Sequence, residues 1–208
     1  MDRRDLLRLA PRLALAWGAL TLLVAMFSAP LIVGVRPLLQ ACTEQLMPGF
    51  STLIMPAVGP GAQGDVVMEF EATRPVTISG DHQVAPWIKV RESINSGHEF
   101  VPVILLLSVL AAWPYRQLRQ ALWALCGGVL ASAVLLVWTV SVHFAGLYEI
   151  SLQRVASYFH EARGTPFFLT LMIFDESGGQ WLLGLLAAVA VALLVSGVPT
   201  SLKQGPPR

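Results

Sequence analysis

Charge is what this chain has least of. Asp, Glu, Lys and Arg make up only 13% of its 208 residues, against about a quarter in a soluble domain. So sparse a set leaves no basic stripe and no interleaving of basic and aromatic residues, which excludes a nucleic-acid surface. Cysteine is nearly missing as well. Cys42 and Cys126 cannot build a disulfide framework or a four-ligand zinc site. No phosphate loop, nucleotide fingerprint or GxSxG elbow occurs, so no cofactor is implied.

Long apolar runs take the place of charge, and mean hydropathy reaches +0.64. Leu13 to Val35 is unbroken and is fenced by Arg3, Arg4, Arg8 and Arg12. Phe100 to Trp113, Ala121 to Leu147 and Trp181 to Val198 follow. A helix needs about 20 apolar residues to cross a hydrocarbon core. The expected fold class is therefore a mainly α membrane protein with four transmembrane helices, at 13–35, 100–115, 121–147 and 181–198.

Basic residues orient these helices. The segments 1–12, 116–120 and 199–208 carry eight of the 14 Lys and Arg, among them Arg116, Arg119, Lys203 and Arg208. The positive-inside rule places those segments, and both termini, in the cytoplasm. The segments 36–99 and 148–180 then lie outside. The second run, only 14 residues or about 21 Å long, is short for a crossing. An odd number of crossings, however, would expel Arg116 and Arg119. The first run also has the order of a secretory signal, but its 23 apolar residues exceed the 7–15 of a signal core. The tetrapeptide Leu39 to Cys42 looks like a lipoprotein box, with Arg36 and Gln40 as poor fits.

The outer segments divide by periodicity. Residues 36–64 read as a loop, broken by Pro48, Gly49, Pro56, Gly59, Pro60, Gly61 and Gly64. From about 65 to 91 the period is two: Met68, Phe70 and Ala72 alternate with Glu69, Glu71 and Thr73, and a Gly80-Asp81 turn precedes Ile88 and Val90. That pattern predicts a small antiparallel β meander whose apolar face rests on the helices or on a partner. Residues 148–163 are helical in period, with Tyr148, Leu152, Val155 and Phe159 on one face, and predict an amphipathic helix lying at the membrane interface. The stretch from Pro166 to Phe174 is too short to cross and is expected to dip into the bilayer. It offers Phe167, Phe168, Leu171 and Phe174 to a partner.

Candidate chemistry is thin. His143 is the only ionisable residue within the four runs. A proton relay would need a second buried acid or base, and the runs supply none. Gly127, Gly128, Ala131 and Ser132 form a small-residue stretch suited to close helix contact. Trp17 and Trp138 lie deep enough to be packing residues, while Trp113, Trp123, Tyr148 and Trp181 fall near run ends, where an interface belt sits. Cys42 could meet His98 or His160 as a thiol pair. His82, His98 and His160, beside Asp81, Glu99 and Glu161, could collect a metal but lack the fixed spacing of a known metal motif. No catalytic, metal or cofactor residue is assigned.

The order of parts resembles the small membrane proteins that accompany exosortase H in Gram-negative bacteria. The similarity rests on SAPLIVGVRPLL ending the first helix, VVMEFEA in the β segment, FVPVILLLSVLAAWP with Pro102 and Pro114, and the basic YRQLRQ turn. It covers nearly the whole chain as layout and hydropathy. The resemblance implies a non-enzymatic accessory of protein sorting at the bacterial inner membrane, with lipids and an exosortase as partners. The exosortase itself is a cysteine transpeptidase-like enzyme. This chain does not show that enzyme's Cys, Arg and His on successive helices, so no catalytic residue carries over. Two alternatives stand beside it: an extracytoplasmic thiol enzyme using Cys42, and a structural subunit of another membrane complex.

The four-crossing topology predicts the behaviour of reporter fusions. Alkaline phosphatase fused after residue 118 should be inactive, and fused after residue 95 it should be active. Activity at both positions would refute the even number of crossings.

Overall fold

The computed structural model describes residues 3–57, 65–79, 82–115, 117–160, 164 and 166–196. The expected Gly80-Asp81 turn, the glycine-rich stretch from Gly59 to Gly64, Arg116, Glu161, Arg163 and the tail from 199 lie outside these residues. Three helical segments, Leu9–Gly34, Leu118–Tyr158 and Phe167–Ser196, are long and apolar enough to span a membrane. The second expected crossing is shorter. Its helix α4, Val101–Ala112, has 12 residues and follows the single turn α3, Ser96–Glu99, across Phe100.

Helix α1, Arg3–Gly34, keeps large apolar side chains on its outside: Leu15 is 75% and Met26 72% exposed. In water that surface would be costly, at about 25 cal/mol per Å²; in lipid it is the solvated face. Val35 separates α1 from α2, Arg36–Leu46, whose Pro37 stands at its start. There the missing N–H costs nothing, so this proline begins a helix.

Residues 36–64, expected as a loop, thus contain α2 and also strand β1, Phe50–Pro56. The breakers are real but local: Pro48 and Gly49, with φ of 109°, make the turn between the two. Pro56 ends an edge strand, where proline is tolerated. Apolar Leu53 and Met55 on the outer face hid the alternation of β1.

Strands β2, Asp65–Ala72, and β5, Lys89–Asn95, complete an antiparallel sheet in the order β1-β2-β5. A separate hairpin joins β3, Val76–Ser79, to β4, His82–Val84. The register sets Thr52 and Val90 on either side of Phe70, and Ile54 and Glu92 on either side of Met68. Between β4 and β5, Trp87 adopts φ of 71°, unfavourable for a bulky residue, and leaves its side chain 73% exposed. Its N–H bonds Ala72 O at 2.8 Å.

Helix α5, Leu118–Tyr158, has 41 residues and runs about 60 Å. It does not stop where the apolar run stops. The segment from 148, expected as a separate interfacial helix, continues α5 and buries Tyr148, Leu152 and Ala156; Val155 and Phe159 stay partly exposed. The reason is the sheet. Phe50 and Phe70 pack on Tyr148 with ring centroids 4.7 and 4.8 Å away, and Phe70 meets Phe144 at 6.4 Å. The apolar face of the sheet therefore rests on α5, and Val66, Met68, Ile54 and Ile94 fill the space between. The outer face is polar: Glu69 bonds Lys89 Nζ and Arg91 Nε, each at 2.7 Å. These two cations hold the Glu69 carboxyl below its ordinary range.

Helix α6, Phe167–Phe174, leads through a π-turn at Asp175–Gly179 into α7, Gln180–Ser196. The stretch expected to dip into the bilayer is thus the first part of a kinked apolar segment, broken at Gly178 with φ of 114°. Gly146 of α5 lets Met172 of α6 approach; a Cβ there would lie 2.7 Å from Met172 Cβ. Gly184 of α7 faces Pro102, while Leu106 and Leu110 share a cluster with Ala188 and Ala192. Helices α4 and α7 therefore run in parallel, each four-residue step of one matched by the other.

A Cβ at Gly184 would stand 2.5 Å from Pro102 O and 2.9 Å from its Cα, both backbone atoms. Gly184→Val should push α4 and α7 apart and destabilise the bundle by about 1–3 kcal/mol. Gly18→Val, where nothing lies within 4 Å, should not. Unfolding in mixed detergent micelles measures the difference, and equal effects would refute the close crossing.

Candidate functional site

Three elements converge on His143. Burial of the sheet-facing part of α5 fixes the rotation of that helix, and with it the direction of the imidazole. Thr43 of α2 bonds Ser141 of α5 at 3.1 Å, and Ser96 of α3 bonds Ser28 of α1 at 2.7 Å, so α2 is tied to α5 and α3 to α1. One turn further along α3, Glu99 places Oε1 2.8 Å from His143 Nδ1. From the other side the π-turn brings Glu176 Oε1 to 3.6 Å from His143 Nε2. Asp175, beside it, is near enough to interact electrostatically with both Glu99 and His143.

Burial sorts these groups. Glu99 is 1% exposed and Asp175 6%, whereas the Glu176 side chain is 49% exposed. Glu99 and His143 are at ion-pair distance without the alignment of a hydrogen bond. Glu99 Oε2 and Gln180 Nε2 have no hydrogen-bond partner among the described residues. Both ring nitrogens face carboxylates, an arrangement suited to an imidazolium, which donates from both. A buried charge is stable only when paired, and here the acids outnumber the base.

The four runs hold no second acid or base, yet His143 has acidic neighbours from the segments beside them. Glu99, Asp175 and Glu176 were missed because each stands just outside an apolar run. A signal was present: Asp175-Glu176 followed by Gly178-Gly179 interrupts an otherwise apolar stretch of 30 residues. Charges kept inside a span of that length point to function.

The other candidates fall elsewhere. Gly128 faces Leu107 and Leu110 of α4, Gly127 faces Val191 of α7, and Ala131 joins that second cluster. Ser132 Oγ is buried without a hydrogen-bond partner among the described residues. The small-residue stretch is thus used by the chain's own helices. Phe167 is 69% and Phe174 47% exposed, while Phe168 packs against the core and Leu171 is half-buried. Trp17 stacks on Trp181 at 5.4 Å, and Tyr148 is a core residue, not an interface anchor. Cys42 is a half-buried free thiol on α2 and Cys126 an exposed one on α5. His98 and His160 are exposed. Among the described residues no three His, Cys, Asp or Glu side chains converge as a metal site.

No family model, no curated protein and no solved structure matches this chain.

Removing the imidazole should leave buried carboxylates without a counter-charge, so His143→Ala should cost about 3–5 kcal/mol of stability. Adding Glu99→Gln should return part of that loss, because it removes one of the stranded charges. A double-mutant cycle by chemical unfolding in detergent tests the pair; strictly additive losses would refute the coupling.

Proposed function

We propose that this chain is a multi-pass protein of the bacterial inner membrane, with four crossings and both termini in the cytoplasm. It acts as a non-catalytic accessory to an integral membrane partner, and the resemblance in layout names that partner as an exosortase. Three apolar helices of membrane length support the setting. The crossing through Ser96–Glu99 and Val101–Ala112 is the short one, and it lies beside α7 in parallel. The observation that carries the accessory reading is the union of the sheet with α5. One continuous helix links the crossing segments to an extracytoplasmic β unit, so a contact made in the bilayer and one made above it are held in fixed relation.

The partner-facing surface in this reading includes Phe167 and Phe174, large apolar side chains exposed beside the acidic π-turn. Lipids cover the remaining apolar surface. The experiment is copurification of the tagged full chain from its native membrane in mild detergent, followed by mass spectrometry. An exosortase should be recovered, and Phe167→Ala with Phe174→Ala should reduce its recovery several-fold at unchanged chain level. Recovery of respiratory subunits alone would overturn this reading in favour of a structural subunit. Loss of sorting in Cys42→Ser, with the chain still folded, would instead favour a thiol enzyme.

A further inference from the structure

The acids around His143 exceed the bases available to them. Glu99, Asp175 and Glu176 come from α3 and the π-turn; one imidazole lies at ion-pair distance from Glu99 and Glu176, and Asp175 is buried next to Glu176 in the chain. Among the described residues, Arg36 of α2 donates to Gln40 Oε1 at 3.3 Å, and Glu44 of the same helix accepts from Thr52 N–H at 2.9 Å. There is no charged residue in α1 between Arg12 and its end at Gly34, and none in α4, α6 or α7. On α3, His98 points out to the surface. Along α5 the nearest charged residues are Glu149 and Arg154; the second is exposed and about 16 Å further along the helix. Glu92 of β5 is engaged by Ser151, and Glu69 by Lys89 and Arg91 on the opposite face of the sheet.

With every acid ionised and the imidazole protonated, the cluster still holds an excess of negative charge, two of its acids almost fully buried. Such a group in low dielectric must take up protons or a cation to be stable. The described residues do not form a metal site, and among them Glu99 Oε2 is buried without a hydrogen-bond partner. Glu176, half exposed, connects the buried pair to the surface. The acids of the π-turn also sit on a break in the helix, at Gly178 with φ of 114°.

We propose that Glu99, His143, Asp175 and Glu176 form a proton-binding site which, when loaded, locks the α6–α7 segment against α3 and α5, and when emptied loosens it at the π-turn. Protons enter from the surface through Glu176. The site does not depend on which partner the chain serves, and its test needs none.

The experiment uses the full chain in lipid nanodiscs, with thermal unfolding and hydrogen–deuterium exchange followed between about pH 5 and pH 9. As pH rises, the wild-type midpoint should fall, and protection factors over residues 167–180, taken after the intrinsic base catalysis of amide exchange is divided out, should fall with it. Glu99→Gln with Asp175→Asn, two amides of the same shape, should cut the slope of midpoint against pH to about half or less. A displacement of the whole curve with unchanged slope would make the cluster a structural tie and overturn the proposal. Dependence on sodium against choline at fixed pH would overturn it in favour of a metal-cation site. If the double variant fails to fold, the wild type decides alone: protection factors over 167–180 that do not change with pH overturn the proposal.

Discussion

A helix satisfies its own backbone hydrogen bonds wherever it goes, so it can leave lipid and enter a protein core without a break. Helix α5 uses that freedom over 41 residues, and the other elements are positioned against it. Its first part meets α4 and α7 through Gly128 and Gly127. Its middle carries Ser141 to α2 and His143 to α3 and the π-turn. Its last turns are buried beneath the sheet through Tyr148, Leu152 and Ala156. Rotation of one long rod about its axis would misplace all three sets together. Aromatic packing at the sheet therefore also fixes the direction in which His143 points.

The same rod explains how a polar cluster survives within apolar helices. A half-satisfied buried network is worse than an apolar core, yet Glu99, Asp175 and Gln180 are all at most 6% exposed. Packing around them leaves little room for relaxation. Gly184 lies against the Pro102 backbone, and Phe174 covers Gly179, where a Cβ would be 2.3 Å from the ring. The acids are held by neighbours that gain nothing from the charge itself.

Much of this was legible in the sequence, and the failures share a cause. Hydropathy identified the apolar runs because lipid imposes one simple demand over 20 residues. Period-two alternation identified β2 and β5, whose outer faces are charged. It missed β1, whose outer residues Leu53 and Met55 are apolar, and α2, which lies in a segment read as a loop from the prolines and glycines that follow it. Residues from 148 read correctly as helical in period, but the buried face runs through Tyr148, Leu152 and Ala156 and leaves Val155 and Phe159 outside it, and what that face met could not be read from spacing. The sheet, not the membrane surface, covers it. The site failed for the same reason: Glu99, His143 and Asp175 are 44 and 32 residues apart in sequence, and only the fold brings them together.

Where a partner could be recognised follows from what the fold has already used. Specific association between helices in lipid relies on small residues that let backbones approach. Gly127, Gly128, Gly146 and Gly184 are occupied by contacts within the chain. What faces outward along the apolar helices is large and branched or flexible, such as Leu22, Met26, Leu130 and Leu194, a surface that lipid tails cover as well as any protein would. Selectivity must then come from places that lipid cannot match. The chain offers three of these: the exposed rings of Phe167 and Phe174, the charged outer face of the sheet at Glu69, Glu71, Lys89 and Arg91, and Trp87, held outward on an unfavourable backbone angle. A bulky residue in that conformation costs about 1–2 kcal/mol, and what the backbone gains there is the bond from Trp87 N–H to Ala72 O at 2.8 Å, which ties the start of β5 to the end of β2 while the ring stays 73% exposed.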